Sequence, residues 1–157
     1  MSDRDLCINV PIYPNLKREF YFTLTSQKLN IAPDSFVLEA EIPSSLIFTC
    51  FHAAKAAEEA LRAIEQGESL RNTRLEILRR LTLTRQVRDL ENIINSARGE
   101  PCYVYVTRAP LQGAFPPCYC SEDALRKIFE IVPQIEWLGE EGVLSAIALT
   151  SLGRWPT

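Results

Sequence analysis

The chain has 157 residues, of which 46% are hydrophobic and 24% are charged, and its formal net charge is −3. This length and composition predict one globular domain over residues 1–157, large enough to bury a core of its own. The small net charge excludes a polyelectrolyte, so any contact with nucleic acid must come from a local cluster of cations.

Two strands are predicted in the first third of the chain. Residues 19–25 are rich in aromatic and β-branched side chains, which favour a strand. Before them, Pro11 and Pro14 predict an irregular segment. Residues 36–42 alternate in part between apolar and acidic side chains, and they predict a second strand that ends at Pro43.

A long helix is predicted over residues 45–66, and the rest of the chain is organised around it. Ser44 or Ser45 can accept an unpaired N–H as the N-cap, and Gly67 suits the left-handed position that ends a helix. The early turns are apolar on every side, which is typical of a buried helix, whereas one face becomes polar from Lys55 onward.

Two shorter helices are predicted next. Thr73 and Glu76 fit a capping box, in which each side chain satisfies a backbone N–H of the first turn. Thr84 can cap a further helix, whose apolar side chains recur at helical spacing as far as Gly99.

The last third of the chain predicts one clear strand and two helices. Residues 103–107 favour a strand, and residues 109–120, with three prolines, favour a long surface loop. Ser121 is placed to cap a helix, residues 134–138 suggest a short strand, and residues 140–152 favour a last helix. Because the predicted strands come singly between helices, the fold class is α/β (α+β), with a small sheet of about four strands packed by several helices.

Cysteine usage bears on the compartment. The five cysteines are an odd number, and neither a targeting segment nor an apolar run of about 18 residues is visible. These features predict mostly reduced thiols, no membrane association and a cytoplasmic protein, also nuclear if the source is eukaryotic. Cys50 is predicted to be an ordinary core residue.

Little in the sequence favours catalysis. His52 is the only histidine, and residues two apart on a helix do not face each other, so His52 is predicted to be a core or edge histidine rather than a base for Cys50. Cys118 and Cys120, taken with Cys102, are spaced too tightly for a usual zinc site, and loop cysteines or a disulfide are expected there instead. No glycine-rich phosphate loop is present. The sequence therefore predicts no catalytic residue, metal or cofactor, and a small cysteine-dependent enzyme remains an alternative.

Arginines provide the clearest functional signal. Residues 69–88 contain six of them, Arg62 lies just upstream, and arginine outnumbers lysine 13 to 4 in the whole chain. Guanidinium groups beside a helix start favour phosphate binding, because backbone N–H groups and the helix dipole add to their charge. The alternative is a solvated face on which Arg79 and Arg88 pair with neighbouring carboxylates.

The order of these segments resembles a known family. A strand at residues 36–42 leads into an alanine-rich helix, a loop and two short helices, followed by the strand at 103–107 and a closing apolar helix. The matching motif residues are Glu76, Ile77, Leu78, Arg80, Arg85, Gln86 and Val87, with Leu144, Ile147, Ala148 and Leu149 in the closing helix. Over residues 36–152 the chain is similar to the KEOPS subunit that binds the complex's small kinase, the TPRKB or PRPK-binding protein family.

This resemblance implies a non-catalytic role. KEOPS supports threonylcarbamoyladenosine modification of tRNA, another subunit transfers the threonylcarbamoyl group, and this family docks on the kinase subunit and captures tRNA with its 3′ CCA end. Residues expected to contact tRNA are Arg71, Asn72, Arg74, Arg80, Arg85 and Gln86. Residues expected to contact the kinase are Leu144, Ile147, Ala148, Ser151 and Leu152. The alternative is a generic protein-interaction adaptor without RNA binding.

Overall fold

A computed structural model describes residues 7–15, 17–67 and 72–156. Four strands form one antiparallel sheet: β1 Cys7–Asn15, β2 Arg18–Thr25, β3 Phe36–Pro43 and β4 Pro101–Thr107. The α-helices are α1 Cys50–Glu65, α2 Thr73–Thr82, α3 Val87–Ser96, α4 Glu122–Ile131 and α5 Gly139–Thr150. The strand order is β1-β2-β4-β3, and the predicted α+β class with a sheet of about four strands is confirmed.

Strand β1 is the main departure from the predicted elements. The two prolines that favoured an irregular segment lie within this strand, which pairs with β2 and forms one edge of the sheet. An edge strand tolerates proline because its outward N–H groups have no ladder partner to lose. A bulge near Asn9, which adopts a left-handed conformation with φ of 53°, interrupts the pairing.

Helix α1 begins later than predicted. Thr49 is its N-cap and accepts a hydrogen bond from the His52 N–H, so the prediction that Ser44 or Ser45 caps the helix is wrong. Both serines instead form a 3₁₀ turn, and their N–H groups donate to the carbonyls of Glu100 and Arg98. These long-range bonds outcompete the local cap.

The caps of the later helices are partly as predicted. Ser121 caps α4 by accepting from the Asp123 N–H, which confirms the prediction. Asn72, rather than Thr73, caps α2 through a 3.0 Å bond from the Leu75 N–H. Thr84 does not cap α3, because its hydroxyl donates to the Thr82 carbonyl at 3.4 Å.

The segment before α5 is a 3₁₀ helix, Pro133–Leu138, and not the short strand predicted there.

Hydrophobic side chains gather in two cores. The larger one lies between the sheet and helices α1 and α2, and the smaller one joins α4 and α5 through Leu83, Ile128, Val132, Val143 and Ile147.

Disulfides correct the prediction of mostly reduced thiols. Cys7 is bonded to Cys50, which ties β1 to the start of α1, and Cys102 is bonded to Cys118, which ties β4 to the long loop. Cys50 is therefore not an ordinary core residue. A polar contact also holds this loop, because the Asn9 side chain exchanges two 2.8 Å hydrogen bonds with the Leu111 backbone.

The C-terminal half of α1 lies along the free edge of β1. The Tyr13 N–H donates to Glu58 at 2.8 Å, and Arg62 donates to the carbonyls of Tyr13 and Pro14 at 2.7 and 3.0 Å. Asn15 donates to Glu65 at 3.0 Å. These bonds fix α1 against the sheet and set the position of the helices that contact it.

Candidate functional site

Helices α1 and α5 lie side by side and run in the same direction. Near their N-termini the Thr49 hydroxyl donates to Glu140 at 2.8 Å, and ten residues further along α1 the Ser151 hydroxyl donates to Glu59 at 2.5 Å. This arrangement divides α5 into a side that faces the protein and a flank that remains accessible.

The residues predicted to contact a kinase divide between these two sides. Ile147 is fully buried in the smaller core, and Ser151 is 3% exposed and bonded to Glu59, so these two predictions are wrong as surface contacts. Leu144 and Ala148 are four residues apart, which places them along one flank of the helix, and Leu152 lies in the turn directly after it. Leu152 is 64% exposed, and the other two are half-buried.

A groove opens beside Leu144. It has a volume of about 370 Å³, and its apolar walls come from β1, α1 and α5. Phe51, which the pattern of α1 places among buried residues, is 68% exposed and lines this groove. Lys55 and Glu58 form its charged rim and pair with each other at 2.9 Å. We name Phe51, Leu144, Ala148 and Leu152 the apolar stripe.

Two arginines of the predicted cluster are engaged inside the protein. Arg79 and Arg80 both pair with the buried carboxylate of Glu76, at 2.6 and 3.2 Å. Burial lowers the pKa of Arg80 from its usual range, whereas the Glu76 charge opposes that shift. Since Arg80 is only 2% exposed, it is not available to a nucleic acid in this conformation, which corrects its assignment as a tRNA contact.

Arg62, just upstream of the predicted cluster, also forms an ion pair with a buried carboxylate. It pairs with the buried carboxylate of Glu59, which also accepts from Lys55 at 3.3 Å. Together with its bonds to the β1 carbonyls, this pairing makes Arg62 a structural residue. Glu59 thus joins α1, β1 and α5 in one polar network.

The other predicted tRNA contacts have mixed surroundings. Arg71 lies outside the described residues. The Asn72 side chain is exposed but occupied as the cap of α2, and Arg74 donates its Nε to the Glu41 carbonyl at 2.7 Å. Arg85 and Gln86 are exposed just before α3.

A second cleft, about 350 Å³ in volume, opens at the start of α3. Arg85, Gln86 and Asp89 line it together with the apolar side chains of Ile93 and Ile131. Arg88, the second residue of α3, is exposed and forms no ion pair with the described residues. Among the described arginines of the predicted cluster, Arg85 and Arg88 are therefore the exposed ones.

His52 is a core histidine. It is 1% exposed, its Nδ1 accepts from the Phe48 N–H at 3.0 Å, and its Nε2 donates to the Leu81 carbonyl at 2.9 Å. Burial lowers the pKa of His52 to about 4, and the bond to Leu81 opposes that shift. Because both ring nitrogens are engaged by backbone groups, neither is placed to activate a thiol.

Sequence reasoning missed Trp155, which lies against Arg79 and Arg80 of α2. Its ring centroid is 4.5 Å from the guanidinium carbon of Arg79 and 5.2 Å from that of Arg80. No sequence signal indicates this contact, because Trp155 follows the last helix and lies 75 residues beyond Arg80. The exposure of Phe51 could not be predicted either, because a run of apolar residues does not show which side of the helix lacks a packing neighbour.

Within the described ranges, no group of three or more His, Cys, Asp or Glu side chains could hold a metal ion. Nor does that part of the chain contain a helix of the length and apolarity needed to cross a membrane. No protein-family model matches the chain, and no curated protein or solved structure matches it either.

Proposed function

We propose that this chain is a non-catalytic subunit of a KEOPS complex that docks on the kinase subunit and binds tRNA, including its 3′ CCA end. In this role it supports threonylcarbamoyladenosine modification and meets the transferase subunit only indirectly. The observation that carries the proposal is the apolar stripe on the α1–α5 pair, at the position where the family motif expects kinase contacts. A cytoplasmic location, or a nuclear one in a eukaryote, belongs to this proposal.

The kinase would bind at the apolar stripe. Its aromatic and aliphatic side chains form an apolar centre, and Lys55 and Glu58 supply a charged rim. An apolar centre within a polar rim is the usual composition of a protein interface, and an exposed aromatic side chain that the partner would cover, such as Phe51, often contributes much of the affinity.

Bound tRNA would lie near the start of α3. Arg85 and Arg88 supply accessible positive charge, and the cleft beside them combines the polar Gln86 with the apolar side chains of Ile93 and Ile131. Single-stranded RNA is typically bound by cations along its backbone together with apolar or aromatic surfaces for its bases.

Co-purification with the kinase subunit tests the docking face. Ala148→Glu and Leu152→Glu place a carboxylate in the apolar stripe, and each is expected to abolish retention of the kinase. Asn92→Glu is the matched control, because it adds the same charge at an exposed position of α3. Kinase retention by both stripe variants, with unfolding transitions like that of the parent, would remove the basis of the proposal.

Filter binding of tRNA over a range of salt concentrations tests the RNA contact. Arg85→Glu with Arg88→Glu is expected to weaken binding and to reduce the salt slope by about 1 to 2 units, as for two lost phosphate contacts. Arg108→Glu with Arg126→Glu changes the net charge equally at exposed sites on the β4 end and α4. Equal losses in both double variants would indicate a general charge effect instead of a site.

One observation favours the alternative of a protein-interaction adaptor without RNA binding. Arg62, Arg79 and Arg80 are paired with buried carboxylates, which leaves fewer cations accessible than the sequence suggests. This alternative predicts normal kinase retention and no tRNA affinity at any salt concentration. The two assays above therefore separate the candidates.

A further inference from the structure

Arg80 has an unsatisfied donor. Its Nε is the one buried side-chain polar atom without a hydrogen-bond partner among the described residues. Its Nη1 donates to the carbonyl and the carboxylate of Glu76, both at 3.2 Å. A buried donor without an acceptor destabilises the fold, so a group that accepts a hydrogen bond from this Nε would be favoured here.

The charges around this donor are unbalanced as well. Arg79 and Arg80 share the single carboxylate of Glu76, which leaves a net formal charge of one positive unit among these three side chains. The positive charge of Arg79 adds to burial in lowering the pKa of Arg80. An additional oxyanion would both balance this charge and accept from Nε.

Trp155 occupies the place beside the two arginines without supplying that acceptor. The face of its indole attracts both guanidinium groups, but an indole has only a donor N–H and no hydrogen-bonding acceptor. The contact therefore covers the pair and leaves the Arg80 Nε unsatisfied.

The segment that carries Trp155 is weakly held. Gly153, with φ of 76°, ends the turn after α5, and beyond it the Gln134 side chain donates to the Pro156 carbonyl at a long 3.4 Å. Trp155 itself is half-buried. Displacement of Trp155 and Pro156 would break the Gln134 bond and the contact with the two arginines, whereas the Arg154 N–H can remain bonded to the Leu149 carbonyl at 3.1 Å.

We propose that Arg79 and Arg80 form a phosphate-binding site and that Trp155 is a displaceable cover over it. The Arg79 Nε and Nη1 already donate to the Arg85 carbonyl and to Glu76, so a phosphate group would accept from the Arg80 Nε and from the remaining Nη2 of Arg79. The group can be free phosphate or a phosphodiester of nucleic acid. The inference goes beyond the proposed function, because it does not depend on tRNA or on the kinase.

Tryptophan emission tests the cover. The chain has two tryptophans, so Trp137→Phe leaves Trp155 as the single reporter. Sodium phosphate, a short single-stranded oligoribonucleotide, and sodium chloride at matched ionic strength are the three probes. A saturable change with phosphate or the oligonucleotide, and none with chloride, is expected as Trp155 leaves the arginines. Whichever probe binds with the higher affinity, phosphate or the oligonucleotide, identifies the source of the phosphate group.

Two variants distinguish this site from adventitious binding, with affinity measured by calorimetry. Trp155→Ala removes the competing closed state and is expected to tighten binding at least about fivefold. Arg79→Gln is expected to abolish binding, whereas Arg98→Gln, at an exposed arginine outside both proposed sites, leaves it unchanged. If Arg79→Gln does not fold, Arg79→Lys keeps the charge, loses the planar donors and is expected to bind several-fold more weakly.

If phosphate and the oligonucleotide change the tryptophan emission no more than chloride does, the proposed site is wrong. Unchanged or weaker binding by Trp155→Ala would overturn the cover. Phosphate binding by a parent chain that retains no tRNA at any salt concentration in the filter assay would refute only the proposed RNA role, so the two failures are distinguishable.

Discussion

Replacement of His52 by glutamine should remove a defined part of the acid sensitivity of the fold. The pKa of this histidine falls from 6.5 to about 4 on folding because its ring is buried. Above about pH 6.5 the ring is neutral in both states and contributes no pH dependence. As the pH falls from about 6.5 to about 4, the unfolded chain takes up a proton that the folded chain does not, so the free energy of unfolding decreases.

The size of this effect follows from the shift. Each pKa unit corresponds to about 1.4 kcal/mol. A pKa that falls from 6.5 to about 4 on folding therefore lowers the free energy of unfolding by about 3 kcal/mol between neutral pH and about pH 4. Glutamine is neutral throughout this range and can still donate to the Leu81 carbonyl. The His52→Gln variant is therefore expected to be less stable than the parent at about pH 7 and to lose less stability on acidification.

Urea unfolding at intervals between about pH 7 and about pH 4.5 measures the difference, because carboxylates titrate in both proteins and cancel when the two curves are subtracted. NMR titration of the folded parent gives a direct check, since its one histidine has an unambiguous ring signal. Parallel stability curves, or a ring signal that titrates near pH 6.5, would refute the reasoning.

Three further predictions concern stability, each measured by urea or thermal unfolding against the parent. Gly142→Ala is expected to destabilise the fold by about 1–3 kcal/mol, because a Cβ there would lie 2.5 Å from the Leu138 Cβ, and an unchanged midpoint would contradict this contact. Asn9→Ala is expected to lower the free energy of unfolding by about 1–3 kcal/mol, because both hydrogen bonds to Leu111 are lost and alanine disfavours the left-handed conformation. Asn9→Gly tolerates that conformation, so it should restore the backbone contribution but not the two hydrogen bonds. Cys118→Ser is expected to cost about 3 kcal/mol, as for opening a loop of about 15 residues, and intact-mass analysis of the unreduced parent should show two disulfides.

Elements set by local chemistry could be predicted from the sequence. The strands at 19–25, 36–42 and 103–107 have compositions that favour a strand in most settings, and Ser121 caps α4 within its own turn. Where a distant partner decides the outcome, local reasoning failed. Ser44 and Ser45 bond to residues 98–100 instead of capping α1, and that competition is not visible in the sequence.

The arginine signal shows the same limit at the candidate site. Glu76 precedes Arg79 and Arg80 by three and four residues, a spacing that permits ion pairs on one helix face. Spacing alone does not reveal whether that face is exposed, and here it is buried. The four-residue spacing of Leu144, Ala148 and Leu152 is visible in the sequence. The burial of Ile147 and Ser151 is not, because it depends on the position of α1 and of the smaller core.

The bonds between α1 and β1 have a consequence for association. A bare edge strand offers a row of backbone donors and acceptors on which another chain can add a strand and start aggregation. Here the Tyr13 N–H and the carbonyls of Tyr13 and Pro14 are already bound by Glu58 and Arg62, while at the opposite margin Arg74 holds the Glu41 carbonyl. Helix side chains thus protect both margins of the sheet from intermolecular β-pairing.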